Sequence, residues 1–319
     1  MKGGTEMPDE TNTVRRKSQW RKTPTDDKIF LIVVYAVLLI IVFLCVYPLY
    51  FTVIASVSDP FDLYSGKVNL LPSGFTLDSY KAVFENSSIW MGYANTILYT
   101  VLGTAFNMVL TIPAAYALSK KQMLGRSALM TVFLIAMYFS GGMIPTYMLY
   151  KKLALLNTRT VLILHGGVNI YNVIVARTYF ENNISESLFE AARIDGTSEL
   201  GIFFRIVLPL SAPILAVLTL YYAVAHWSSY FPALIYTTDT AIQPLQLVLR
   251  RILILNESAY SEAMESGDAT VIADAARRTY LAISMKYSLV FVASAPMLIA
   301  YPFVQKYFVK GVMVGSVKG

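Results

Sequence analysis

The sequence predicts an all-α membrane protein with six transmembrane helices and with both chain ends in the cytoplasm. The first observation is composition: 56% of the 319 residues are apolar and only 14% are charged, whereas charged residues make up about 25% of typical soluble domains. The second is the run 29–54, which holds no charge and exceeds the about 20 apolar residues that cross a bilayer. Together they exclude a water-soluble globular domain and an intrinsically disordered chain.

Five more apolar stretches follow the first one and complete the predicted set of transmembrane helices. The first run is far longer than the roughly 7–15 apolar residues of a cleaved signal peptide, so we expect it to be a membrane span. Polar or proline residues interrupt the fourth and fifth stretches. The six predicted spans are 29–54, 93–119, 127–150, 160–180, 206–227 and 287–304.

The distribution of lysine and arginine predicts the orientation, because short cytoplasmic loops carry an excess of these residues. With the N-terminus in the cytoplasm, 16 of the 26 basic residues fall in cytoplasmic segments and 10 in outer segments. Lys151 and Lys152 run against this bias, since they lie in a short outer loop. We interpret the basic stretch 15–28 as a topology signal and a contact with anionic lipid of the bilayer, not as a nucleic-acid site.

The segments outside the spans differ in length and character. Residues 77–84 have the apolar spacing of a short surface helix. Residues 245–255 would cover roughly half a bilayer at about 1.5 Å per residue, so we expect them to lie at the interface or to re-enter the membrane. The predicted organisation is a cytoplasmic segment 1–28, a transmembrane domain 29–306 with outer loops at about 56–92 and 228–286 and a cytoplasmic loop at about 181–205, and a cytoplasmic tail 307–319.

The cytoplasmic loop contains a short predicted helix that is followed by a turn. Ser185 or Ser187 would cap this helix, and acidic residues in its first turn suit the helix dipole. Ala191 and Ala192 are small enough to let a partner surface approach closely, and Gly196 permits a sharp turn. Composition alone would favour an amphipathic connector whose acidic residues are solvated. The full pattern is Glu190, Ala191, Ala192, Asp195 and Gly196, then nine residues, then Ile206, Val207, Leu208 and Pro209.

This spacing resembles the EAA signature of bacterial ABC-importer permeases, which is Glu-Ala-Ala, three residues, Gly, nine residues and Ile-x-Leu-Pro. The resemblance implies a type I ABC importer transmembrane domain, multi-pass in the bacterial cytoplasmic membrane, whose coupling helix sits in a groove of an ATPase subunit. The implied partners are a second, different permease subunit, two ATPase subunits and an extracellular binding protein. The coupling role is thereby implied for Glu190, Ala191, Ala192, Asp195, Gly196, Leu208 and Pro209.

The resemblance also implies that this chain is not itself an enzyme. It has no G-x-x-x-x-G-K-[ST] phosphate loop, the motif that cradles the phosphates of a nucleotide. We therefore expect no cofactor in this chain, with ATP and Mg bound by the partner ATPase subunits.

Other segments resemble carbohydrate permeases of the maltose-permease class, above all the oligosaccharide and pectin-uptake branch. In that class the last residues reach between the ATPase subunits, which implies such a contact for Lys310, Gly311 and Lys318. The sequence departs from the branch at His165, where proline is usual, and at Ser228, where asparagine is usual. The segments that carry this resemblance are 140–146, 155–159, 227–236 and 307–319.

Polar residues within the spans are candidates for the substrate pathway, because they are costly in a membrane and often functional. His165, Asn169 and Asn172 recur at helical spacing, which predicts a single helix face. Tyr222, His226 and Tyr230 do likewise in the fifth span, where Pro209 and Pro213 also predict a kink. Aromatic faces could stack on sugar rings, while imidazole and amide groups bind hydroxyls. The alternative is helix packing with an interfacial aromatic belt. The candidates are His165, Asn169, Asn172, Tyr222, His226, Trp227 and Tyr230.

Three other function classes are less consistent with the sequence. A secondary transporter would need acidic residues inside the spans and usually an inverted repeat, and neither is present in the sequence. A membrane enzyme would need paired carboxylates, a nucleophile with its base, or a metal cluster, but the chain holds one cysteine and two histidines. The EAA pattern does not exclude an ABC permease for amino acids, phosphate or metals. The C-terminus that resembles the carbohydrate branch and the aromatic residues of the fifth span favour a sugar over these cargoes.

Overall fold

The computed structural model describes residues 24–316, and every regular element in that range is helical. Residues 1–23 and 317–319, and with them the prediction for Lys318, lie outside the described residues. A π-helical turn, Phe203–Val207, and a 3-10 turn, Thr240–Ile242, join neighbouring helices. The helices are α1 (Thr25–Ser56), α2 (Pro60–Tyr64), α3 (Asp78–Glu85), α4 (Ser87–Ser119), α5 (Arg126–Tyr138), α6 (Met143–Lys152), α7 (Arg159–Leu164), α8 (Ile170–Asn183), α9 (Glu186–Ile194), α10 (Glu199–Ile202), α11 (Leu208–Leu210), α12 (Ala212–Trp227), α13 (Tyr230–Tyr236), α14 (Leu245–Ser266) and α15 (Ala269–Ser316).

Three stretches of the described chain are long and apolar enough to cross a membrane: Asp27–Ser56, Ser87–Ser119 and Ala269–Ile299. Two bent helix pairs raise this number to five if each pair forms one span. One pair is α5 with α6, bent by 111°, and the other runs from Glu199 to Trp227 with a bend of 81°. The number of six spans and their orientation stay predictions.

The fourth predicted span, 160–180, is not one helix. It consists of α7 and α8, and His165 and Asn169 flank the break between them as the C-cap and the N-cap. Gly166 has a φ of +69°, and the Asn169 side chain accepts a hydrogen bond from the Asn172 amide at 3.1 Å, which starts a new helix. The prediction that His165, Asn169 and Asn172 share one helix face is therefore wrong.

The two predicted outer segments are largely helical. The short helix expected over 77–84 is confirmed as α3. The stretch 245–255 belongs to α14, which has 22 residues, and the last long helix begins at Ala269, well before the predicted start at 287. Gly267, with a φ of +70°, turns the chain from α14 into α15. Polar residues on exposed faces hide these helices from a search for apolar runs alone.

The chain divides into two compact units, Met1–Phe51 and Thr52–Gly319. The apolar helix α1 makes up most of the described part of the first unit. In the second unit α4 is the central helix and packs against α7, α8, α12 and α14, while α15 packs against α2, α3, α12 and α14. One hydrophobic cluster joins the end of α4 to α8, α9 and α12. A separate cluster around Tyr99 joins the earlier part of α4 to α7 and α13.

Candidate functional site

The predicted coupling helix is present as α9, and its two faces differ. Phe189 and Ala192 are buried in the cluster at the end of α4. Glu190 and Ala191 are exposed, as is Asp195 at the helix end. Ala192 therefore packs against the chain's own core, and only Ala191 of the two alanines lies on the exposed face.

Gly196 forms the turn that ends α9. The Thr197 amide donates to the Ala192 carbonyl at 2.9 Å, and the Gly196 amide donates to the Arg193 carbonyl at 3.0 Å. This pair of bonds defines a Schellman motif, which needs a left-handed residue after the helix end. Gly196 supplies it with a φ of +74°, so the predicted role of this glycine in the turn is confirmed.

We call residues 186–207, from α9 through α10 to the π-helical turn, the coupling segment. Leu208 and Pro209 lie where the chain bends from this segment into α12. Pro209 lies in the last turn of the helical stretch Glu199–Leu210, just after the π-helical turn. Pro213 stands in the first turn of α12, where its missing N–H costs no helical hydrogen bond. The Ser211 amide donates to the carbonyls of Val207 and Leu208, at 3.0 and 3.2 Å. The predicted kink is confirmed as the bend of 81°.

A group of charged and aromatic residues fastens the coupling segment to the end of α4. The Arg193 guanidinium donates to Glu199 at 2.9 and 3.0 Å, and the Tyr116 hydroxyl donates to the same carboxylate at 3.2 Å. The Lys120 ammonium lies 3.2 Å from the centroid of the Phe189 ring and has no hydrogen-bond partner among the residues that the structure describes. Burial lowers the pKa of Lys120. No sequence motif singled out these contacts.

A second polar group joins three helices at the same end of the bundle. Glu181 pairs with Arg126 and, at 2.9 Å, with Arg177. Both guanidinium groups also donate to the Leu118 carbonyl, at 2.8 and 3.1 Å. The cations thus satisfy a carbonyl in the last turn of α4, where the helix dipole favours positive charge. The ends of α4, α5 and α8 are held together as a result.

Asn107 is the centre of a polar network in the interior of the bundle. Its amide nitrogen donates to the carbonyls of Gly166 and Gly167, both at 2.9 Å. Its amide oxygen lies 2.6 Å from Nε2 of His226. The imidazole packs so closely on α4 that a Cβ at Gly103 would collide with the ring. Asn107 therefore connects α4 with α12 and with the break between α7 and α8.

The other candidates on α12 also have partners within the chain. The Tyr222 hydroxyl lies 2.6 Å from that of Thr111 and accepts a hydrogen bond from the Asn169 amide at 3.4 Å. The Trp227 indole donates to the Ala293 carbonyl at 3.1 Å, and its ring meets Tyr93 edge-on at 5.8 Å. These contacts are those of helix packing, so contact of Tyr222, His226 and Trp227 with cargo stays a prediction.

His165 belongs to an aromatic cluster that we define as Tyr147, Tyr150, His165 and Tyr236. Tyr150 and Tyr236 meet at 5.0 Å between ring centroids, and His165 and Tyr236 at 5.5 Å. The Tyr150 hydroxyl lies 3.2 Å from Nδ1 of His165. Tyr230, predicted on the same face as His226, instead starts the separate helix α13. Sequence spacing missed the cluster because its members come from α6, the end of α7 and α13.

The described residues offer no group of three His, Cys, Asp or Glu side chains that could hold a metal ion. Lys310 and Gly311, the predicted tail contacts, lie within the range of α15.

Comparison with known proteins agrees with this architecture. The family model for "Binding-protein-dependent transport system inner membrane component" matches residues 87–314. The chain is 38% identical over 293 residues to the polygalacturonan/rhamnogalacturonan transport system permease protein YtcP of Bacillus subtilis, covering 92% of this chain and 99% of that protein. It is 39% identical over 272 residues to protein LplC of the same organism, covering 85% and 89%.

A solved structure is similar over nearly the whole chain. It is a chain of a bacterial ABC transporter involved in the import of the acidic polysaccharide alginate, with a TM-score of 0.79 and 33% sequence identity, covering 90% of this chain and 99% of that chain. The implied fold, a type I ABC importer membrane domain, is thus confirmed. The chain belongs to the family of inner membrane components of binding-protein-dependent transport systems.

Proposed function

We propose that this chain is a permease subunit of an ATP-driven importer that carries an oligosaccharide across the bacterial cytoplasmic membrane. Support for a saccharide cargo comes from the relatives, which include permeases for polygalacturonan and rhamnogalacturonan and for arabinooligosaccharides, the latter 27% identical over 284 residues. The similar solved structure belongs to a polysaccharide importer. Aromatic rings gathered from several helices suit the apolar faces of sugar rings.

The proposed assembly contains this chain, a second and different permease subunit, two ATPase subunits and an extracellular binding protein. The ATPase subunits would bind ATP and Mg and would receive the exposed face of α9, with Glu190, Ala191 and Asp195. In this assembly the tail residues Lys310, Gly311 and Lys318 would contact the ATPase subunits.

The observation that carries this proposal is the attachment of α9. One face is fixed to α4 through Phe189 and Lys120, and its end is fixed to α10 through Arg193 and Glu199. The other face is free for a partner. A displacement of α9 would therefore move the helices α4 and α12, which carry the network around Asn107.

The mechanism is alternating access. Two closed, ATP-bound ATPase subunits would fit only one spacing of the two coupling helices, and that spacing belongs to the outward-open state. ATP then stabilises the outward state by differential affinity, and hydrolysis removes this preference. The cargo would enter from the loaded binding protein while the cavity is open outward.

Uptake by the reconstituted importer tests this function. Proteoliposomes that contain both permeases and both ATPase subunits are loaded with ATP, and labelled oligosaccharides are added outside with the binding protein. We expect uptake that requires ATP and the binding protein. Equal uptake without ATP would indicate a secondary transporter. Uptake of amino acids or phosphate instead of sugars would contradict the assignment of an oligosaccharide cargo.

A further inference from the structure

We infer that the aromatic cluster and three neighbouring cations form the outer mouth of the transport route and select saccharides that carry carboxylates. The cations are Lys151, Lys152 and Arg159. This inference rests on the proposed function and adds the chemical class of the cargo and the residues that recognise it.

The position of the cluster follows from α4. Tyr236 packs with Tyr99 of α4, whereas Tyr116, farther along α4, contacts Glu199 of the coupling segment. At about 1.5 Å per residue, the 17 positions between the two tyrosines of α4 correspond to roughly 25 Å. The aromatic cluster thus lies most of a bilayer thickness from the coupling segment, on the side where the binding protein would deliver cargo.

The cluster offers unused binding capacity. Tyr147 is exposed, and neither its hydroxyl nor that of Tyr236 forms a hydrogen bond with another described residue. Nε2 of His165 is likewise left without one, while Nδ1 faces Tyr150 at 3.2 Å. Tyr150 and His165 are half-buried, and Tyr236 is buried. The exposed Tyr147 ring, with hydroxyl and imidazole groups beside it, suits a sugar, because the C–H faces of a sugar stack on rings and its hydroxyls need polar partners.

The loop 153–158 connects Lys152 at the end of α6 with Arg159 at the start of α7 and is bonded to the end of α13, which carries Tyr236. The Asn157 amide donates to the Tyr236 carbonyl at 2.8 Å. The Asn157 side-chain oxygen accepts from the amides of Thr238 and Asp239, at 2.9 and 2.7 Å. Asn157 itself has a left-handed φ of 59°, which the surrounding bonds hold in place. The loop 153–158, which separates Lys152 from Arg159, is therefore ordered by its bonds to the end of α13.

The three cations are exposed and form no ion pair with another described residue. Asp239, the acid on the neighbouring turn, accepts from the Ala241 amide instead. Lys151 and Lys152 end α6, where the helix dipole favours them, but Arg159 opens α7, where the dipole opposes a cation. The positive-inside tendency also opposes all three on the outer side. Recognition of carboxylates on the cargo would explain why cations lie here against the helix dipole and against the positive-inside tendency.

The test uses the complete importer in proteoliposomes, with the binding protein at saturating concentration. The probes are trisaccharides of galacturonate and of mannuronate, each compared with its carboxyl-reduced, neutral counterpart. The variants are the double substitution Lys151→Gln/Lys152→Gln and its charge-retaining control Lys151→Arg/Lys152→Arg. Both lysines are exposed, so we expect both variants to fold normally. The amount of protein incorporated into the proteoliposomes is measured for each variant to check this.

We expect the wild type to import acidic probes in preference to neutral ones. The glutamine variant should lose roughly two- to tenfold of the acidic rate while neutral uptake stays unchanged, since each exposed charge pair contributes modestly. The arginine variant should retain the preference, and higher salt should weaken it. Tyr147→Ala should lower uptake of both probe classes, whereas Tyr147→Phe should preserve it.

The outcomes separate the two proposals. Uptake of neither probe class by the wild type would overturn the proposed function itself. Uptake of the neutral probes alone, or an acidic preference that survives in the glutamine variant, would overturn only this inference. An equal loss of both probe classes in the glutamine variant would likewise contradict selection by charge.

Discussion

Gly196 and Pro209 set the path of the backbone through the coupling segment and into α12. Gly196 adopts a φ of +74° after α9, and Pro209 lies in the last turn before the bend of 81°. The role of Asn107 could not be predicted from the sequence, because a single amide in an apolar helix gives no spacing pattern. Its significance depends on Gly166 and His226, which are distant in sequence but adjacent in the structure.

Substitution of Gly196 should uncouple ATP hydrolysis from uptake. A β-branched residue in the left-handed region costs roughly 1–2 kcal/mol or more, so Gly196→Val should distort the end of α9. Apart from the glycine and its chain neighbours, no described residue has an atom within 4 Å of the added Cβ, so the effect comes from the backbone. We expect more ATP hydrolysed per sugar imported, measured in proteoliposomes.

Gly66→Val is the matched control for this experiment. Gly66 has a φ of +72° and equally open surroundings, but it lies in the turn after α2, away from the coupling segment. It should retain normal coupling. A Gly196→Val protein of normal abundance with wild-type coupling would contradict the role of the turn.

Asn107→Leu should destabilise the bundle while leaving the coupling surface intact. The substitution leaves the carbonyls of Gly166 and Gly167 and the imidazole of His226 without their partner. A buried polar group left without a partner lowers the free energy of unfolding by about 1–3 kcal/mol. We expect a lower melting temperature in detergent. Asn183→Leu, at an exposed position, is the control, and equal stability of the two variants would contradict the network.

At the scale of helices, hydropathy identified the apolar cores but not their interruptions or extensions. The break between α7 and α8 follows from Gly166 and the cap at Asn169, which a continuous apolar average conceals. Hydropathy did not predict that α15 begins at Ala269, because the early turns of this helix carry charged residues on an exposed face. Periodicity locates membrane helices, whereas caps and glycines decide where they end.

Trp227 tests whether α12 and α15 are joined by packing. Trp227→Ala removes the contact with Tyr93 and the bond to Ala293. We expect the free energy of unfolding to fall by about 3 kcal/mol, the lower end for a buried aromatic, seen as a lower melting temperature. Trp227→Phe keeps an aromatic ring, so its loss of stability should be smaller. Weaker half-saturation at normal stability would instead place Trp227 in the pathway.

At the scale of the whole molecule, the family and the coupling segment could be predicted from one chain, but the cargo route could not. The EAA spacing is contiguous and local. The aromatic cluster and the Asn107 network combine helices that only the fold brings together. The number of spans and the side on which each loop lies depend on the membrane, which composition indicates only through charge bias.

The central claim, that the exposed face of α9 meets the ATPase, is tested most directly by site-specific cross-linking in the intact importer. Cys45 is first replaced by alanine, and a photoreactive maleimide is attached to Ala191→Cys, to buried Ala192→Cys or to Glu262→Cys on α14. We predict that only the Ala191→Cys protein captures the ATPase subunit, in amounts that change with ATP. Capture of the ATPase from Glu262→Cys and not from Ala191→Cys would contradict the account.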